Sequence, residues 1–114
     1  MDYFSSGGVR IAFIDQKPET GTGDPVLLLH GFASTHRVNW VDTSWVSSLI
    51  RAGFRVIALD HRGHGQSDKL YEPDAYDPDV MAKDVISLLD HLHLPKADLI
   101  GYSMGARKIG RAHV

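Results

Sequence analysis

The chain has 114 residues, 43% of them hydrophobic and 23% charged, with a formal net charge of −2, the balance of an ordinary soluble globular protein. There is no basic surplus to attract nucleic acid, and no apolar run approaches the roughly 18 residues of a membrane span. Met1-Asp2-Tyr3-Phe4 has neither the basic start nor the apolar stretch of a secretory signal, and with no cysteine there are no disulfides or thiolate metal sites, so a cytoplasmic protein is expected.

Strand-like and helix-like segments alternate along the chain, which predicts an α/β fold with a mostly parallel central sheet of about five strands and flanking helices. Val9 to Ile14 follows a Gly-Gly turn and alternates in its first half, as an early strand able to pair with Tyr3-Phe4. Residues 16–24 read as a surface turn. Val26-Leu27-Leu28-Leu29, between Asp24-Pro25 and Gly31, is a strand buried on both faces. A loop rich in Ser, Thr and Asn then leads to a helix over about 43–52, with Trp45, Leu49 and Ala52 on one face and Gly53 ending it. Trp40 and Trp45 are candidates for an acyl pocket, with helix packing the expected role of Trp45. Arg55 to Leu59 is the next strand, and residues 71–77 are polar and turn-prone. Asp77 is placed to cap a helix with Pro78 at its first position. Met81, Val85, Leu88, Leu89 and Leu92 recur at helical spacing as its core stripe, which puts Asp84 and Asp90 on the solvated face. His91 and His93 sit at the helix end, where a cation favours the dipole. Pro95 stops the helix before the strand Ala97 to Ile100.

Three motifs carry chemistry. Gly101-Tyr102-Ser103-Met104-Gly105 reads Gly-x-Ser-x-Gly, a sharp strand-to-helix turn that exposes a serine oxygen above a sheet; Gly101 and Gly105 remove side chains where the chain must fold back. His30-Gly31-Phe32 ends an apolar strand, where a backbone N–H can face a developing oxyanion. There the imidazole of His30 is expected to pack under the loop while the backbone does the chemistry. Asp60-His61-Arg62-Gly63-His64-Gly65-Gln66-Ser67 follows the strand 55–59; its glycines permit a tight loop, which Asp60 and Arg62 are placed to pin by charge-assisted hydrogen bonds. The loop lacks a phosphate-binding fingerprint, and His61-x-x-His64 is too few ligands for a metal site. Asp98 precedes the elbow on the same strand and cannot turn back to act as a triad acid.

In this order and spacing the motifs resemble the N-terminal half of an α/β-hydrolase-fold serine hydrolase. More narrowly they are similar to bacterial hydrolases near esterases, proline iminopeptidases, cofactor-free haloperoxidases and C–C bond hydrolases. The resemblance covers about Tyr3 to Arg107. It implies Ser103 as nucleophile, the backbone N–H groups of Phe32 and Met104 as the oxyanion hole, a small-molecule acyl substrate, and neither metal nor cofactor. It also implies a sheet whose first five strands run 1-2-4-3-5. Relatives that dehalogenate or open epoxides carry Asp at the nucleophile position, so Ser103 argues against both chemistries. The other readings are a non-catalytic relative that binds a small molecule or a partner and, more distantly, a Rossmann-like nucleotide binder.

The triad Asp and His are expected to be absent from this chain. His113 is the only histidine after Ser103, and ten helical residues at about 1.5 Å each would put it about 15 Å away, whereas a base must come within about 3 Å. Residues 1–114 are therefore expected to be the N-terminal part of a single domain and inactive as an acyl hydrolase. Residues 108–114 are expected to be non-native: one back-translation resembles a short-read sequencing adapter that would also supply a stop codon. With the strand at 97–102 left as a sheet edge, the fragment is expected to self-associate. Sedimentation combined with a thermal melt checks this. Aggregation or a broad melt is expected; a monodisperse monomer with a sharp transition would contradict it.

Overall fold

Side chains alternate across a strand, so a strand apolar at every position must be covered on both faces. The computed structural model, which describes residues 1–31 and 34–101, is built around two such strands. They are β3 (Pro25–Leu29) and β4 (Arg55–Leu59), paired in parallel from Pro25 opposite Arg55 to Leu29 opposite Leu59. Leu27, Leu29, Ile57 and Leu59 face one side, with Phe4, Ile11 and Phe13 from β1 (Asp2–Ser6) and β2 (Val9–Gln16). That layer is closed by Val85 and Leu88 of α2 (Pro78–His91). Val26, Leu28, Val56 and Ala58 face the other side, under Trp40 and under Val46 of α1 (Trp45–Arg51).

The sheet order is β1-β2-β4-β3-β5, with β5 spanning Asp98–Gly101, in agreement with the order implied by the sequence. Its centre is parallel, as expected, since β4–β3 and β3–β5 pair in parallel, while β1–β2 and β2–β4 at one side are antiparallel and make the sheet as a whole mixed. The β1–β2 connection is the Gly7-Gly8 turn, which makes a local hairpin. At the far end of β2, Asp15 accepts two hydrogen bonds from the Arg55 guanidinium, at 2.8 and 2.6 Å, and locks β2 against the start of β4. That bidentate partner raises the Arg55 pKa above its ordinary value, against the opposing effect of burial.

Several local expectations change. The loop before α1 contains a π-helical turn, Arg37–Val41, and Pro73–Tyr76 forms a 3-10 turn. Trp45 does not provide the packing face of α1: it is 47% exposed at the first helical position and meets the buried Trp40 edge-on, with ring centroids 6.1 Å apart. Val46 is buried in its place, with Leu49 and Ile50 packed partly buried against the same cluster, so the apolar face is centred on 46, 49 and 50 rather than on 45, 49 and 52. Asp77 does occupy the position before Pro78, but its side chain makes no cap bond.

Both helices end in the same motif. In α1 the N–H groups of Gly53 and Phe54 return to the carbonyls of Ile50 and Leu49; in α2 those of His93 and Leu94 return to Asp90 and Leu89. The motif demands a left-handed residue, supplied by Gly53 at φ +95° and by His93 at φ +57°. An L side chain is strained there, so His93→Gly should raise stability by about 0.5–1 kcal/mol. Gly53→Ala should lower it, since a Cβ would also press on the Gly21 backbone. Paired thermal melts of the two variants check both signs.

Candidate active site

Parallel register decides where the site sits. Leu29, Leu59 and Gly101 are the last residues of three adjacent strands, and Leu29 is paired with both of the others. His30-Gly31, the start of the 60–67 loop and Gly101 therefore lie at one end of the sheet. The chain passes from β3 to β4 on one side, then returns through α2 to β5 on the other. This reversal of strand order opens a crevice at the carboxyl ends, where ligands bind in open α/β sheets. Ser103, Met104, Gly105 and Phe32 lie outside the described residues, as do His113 and the 108–114 tail.

His30 packs under the loop as expected and is fully buried. Its Nε2 accepts the His61 backbone N–H at 2.9 Å, so the proton sits on Nδ1, which donates to the Gly31 carbonyl at 2.7 Å. His61 returns the contact, its Nε2–H donating to the His30 carbonyl at 2.9 Å. The two rings are 4.2 Å apart, and the His64 ring lies 5.2 Å from that of His30. These reciprocal bonds fix the end of β3 to the end of β4.

Asp60 organises the second loop. One carboxylate oxygen accepts the His36 N–H at 2.9 Å and His36 Nδ1–H at 2.8 Å; the other accepts the Gln66 N–H at 3.0 Å. Gly65 has φ +51°, and a Cβ there would overlap the Asp60 carboxylate. Burial pushes the Asp60 carboxyl up, but the His36 ring and the backbone N–H groups of Gln66 and His36 outweigh it and hold the pKa below the ordinary value. Ser67 completes the loop, donating to the Asp60 carbonyl at 2.6 Å and accepting the Ala12 N–H at 2.8 Å.

Arg62 pins the loop to a helix rather than to itself. Its guanidinium donates twice to Asp84, at 2.8 and 2.9 Å, and once to the Ala75 carbonyl, while Ser6 Oγ donates to Asp84 at 2.6 Å. The solvated face expected for Asp84 is thus corrected: Asp84 is completely buried, whereas Asp90 is exposed. The signal was present, since Asp84 lies three residues after Met81 and four before Leu88, inside the apolar stripe. Sequence reasoning also missed Asn39, whose Oδ1 accepts the Gly31 N–H at 2.6 Å and sets the turn after β3, and His36. Asp98, at the opposite end of β5 from Gly101, is far from the crevice side, as expected.

The α/β-hydrolase fold family matches residues 24–109. Among individual proteins, the chain is 38% identical over 101 residues to bifunctional epoxide hydrolase 2 of Sus scrofa, covering 86% of this chain and 16% of that protein. It is 36% identical over 104 residues to the non-heme chloroperoxidase CPO-A1 of Kitasatospora aureofaciens, covering 91% of this chain and 34% of that protein. Epoxide hydrolase A from Mycobacterium thermoresistibile superposes with a TM-score of 0.83 at 30% identity, over 97% of this chain and 33% of that one. The chain therefore spans between about a sixth and about a third of the length of these relatives.

Two outcomes follow for the network beneath the site. Asp84→Asn should cost about 3–5 kcal/mol by leaving the buried Arg62 cation uncompensated, and Arg62→Met combined with Asp84→Leu should cost far less. Denaturant titrations of the single and double variants measure this. For Asp60 the sign comes from its lowered pKa: the unfolded chain takes up the proton first as pH falls. Its stabilising contribution is therefore present above about pH 4 and lost as pH drops through the folded value. Asp60→Asn should be less stable at neutral pH and should flatten that acid limb in melts recorded across the range.

Proposed function

The chain belongs to the α/β-hydrolase fold family, and on that premise we propose that it carries the nucleophile half of a cytoplasmic serine hydrolase acting on an ester or related acyl bond. The observation that supports this best is the shared edge: the parallel register brings the ends of β3, β4 and β5 together, and the Gly-x-Ser-x-Gly run follows β5 directly. Ser103 would attack a carbonyl carbon, and the N–H groups of Phe32 and Met104 would hold the oxyanion. Gly31, Gly101 and Gly105 permit the turns, while His30, Asp60 and Arg62 hold the loops beneath.

The chemistry of serine separates this reading from the epoxide hydrolase name of two of the relatives. Attack by a serine oxygen on an epoxide carbon would leave an ether, which water does not cleave. Attack on an acyl carbon leaves an ester, which water opens to regenerate the serine. Ester, peptide, peracid and C–C substrates all fit an acyl-enzyme route. The orienting Asp and the base His would come from sequence beyond this chain, which spans only part of the length of its relatives.

Fluorophosphonate labelling of a full-length hydrolase containing this segment tests the proposal. Labelling should map to Ser103 and vanish in Ser103→Ala, with kcat falling by about ten-thousand-fold or more. A folded, full-length protein that takes no label would favour a non-catalytic binder.

A further inference from the structure

Outside the Ser103 motif, one pair of side chains already has the geometry of a base and its orienting acid. His36 and Asp60 are both buried, 6% and 1% exposed, and His36 Nδ1 lies 2.8 Å from Asp60 Oδ1. A carboxylate only accepts, so the ring proton sits on Nδ1 and the lone pair on Nε2. That nitrogen has no hydrogen-bond partner among the described residues. The two residues line an open cavity of about 470 Å3, within the size range of small-molecule sites. Ile14 and Val41 give it an apolar wall, and Gln16, Thr35, Arg37 and Gln66 supply polar groups.

We propose that His36, oriented by Asp60, is a second nucleophilic site in this chain, able to take the acyl group of a small activated aryl ester bound in that cavity. Nε2 attacks the ester carbonyl carbon, and the bond to the phenolic oxygen breaks with its electron pair leaving on the phenolate. The acyl-imidazolium keeps its Nδ1–H on the Asp60 carboxylate, which balances the new charge. Water then adds to the acyl carbon, the C–Nε2 bond breaks back onto nitrogen, and the carboxylic acid leaves with its released proton taken up by solvent or phenolate. The net change is ester plus water to acid plus phenol, with the ring restored.

Asp60 suits the role because it stays ionised: its carboxyl is held below the ordinary value even though burial opposes this. The charged side chains lining the cavity beside the ring are Asp60 from the end of β4 and Arg37 from the π-helical turn. Arg37 is itself drawn to Asp42, 4.0 Å away. The site is independent of Ser103, so either proposal can fail without the other.

The test uses the 114-residue chain with Ser103→Ala, so that the serine cannot contribute, and p-nitrophenyl acetate as substrate. In that background His36→Gln should lower the second-order rate by roughly tenfold to a hundredfold, within the range of a positioned imidazole. His91→Gln, at an exposed imidazole, should leave it unchanged. Acetyl trapped by rapid acid quench should map to His36 by peptide mass analysis, and the mapping in the His36-containing chain decides the matter if the Gln variant does not fold. An unchanged rate in a folded His36→Gln chain, or acetyl found only on other residues, overturns the proposal.

Discussion

The complete enclosure of β3 is the constraint on which the rest of the structure depends. Both faces of that strand are covered by apolar layers and both edges are hydrogen-bonded, so it has no freedom to slide or turn. A slip of one residue would exchange Leu27 and Leu29 for Val26 and Leu28 and mismatch both layers at once. Because its register is fixed, the position of His30 and Gly31 is fixed too, and so is the level at which β4 and β5 end.

Polar groups then finish what the apolar core begins. Under the crevice edge lie three buried networks: the His30–His61 exchange, the Asp60 hub with His36 and Gln66, and the Arg62–Asp84 pair with Ser6. Each joins segments distant in sequence, and each has an acceptor for every donor described here. Buried charge stabilises little in itself, but losing one partner is costly, so such networks favour one loop arrangement over its neighbours. Asp84 is the clearest case, since the charge that sequence reasoning put in water instead carries the loop after β4 onto α2.

The strands were legible in the sequence because period-two alternation and long apolar runs are local signals, as in Val26 to Leu29; their order came from the family resemblance alone. The α2 stripe was legible for the same reason. Asp60 and Arg62 could be read as loop-pinning groups, but not their partners: His36 and Asp84 lie far off along the chain, and nothing local marks a pairing across such distances. Trp45 was misplaced because the apolar face runs through Val46, Leu49 and Ile50 and leaves Trp45 just off it at the first helical position, and the π-helical turn before it left no periodic trace. His93 shows another limit. The left-handed position after a helix normally announces itself as glycine, and here a histidine bears the strain.

The return of the chain from β4 through α2 to β5 also governs how such a structure can be assembled. The β1–β2 hairpin closes over the two-residue turn Gly7-Gly8 and can form early. Val26, in contrast, must find Asp98, and the pairing of β3 with β5 closes the longest loop in the sheet. Non-local parallel pairing of this kind is slow, because the entropy of closure is lost before any contact compensates for it. Strand β5 thus carries the largest closure cost in the sheet, and its docking draws on a platform that the more local pairings have already built.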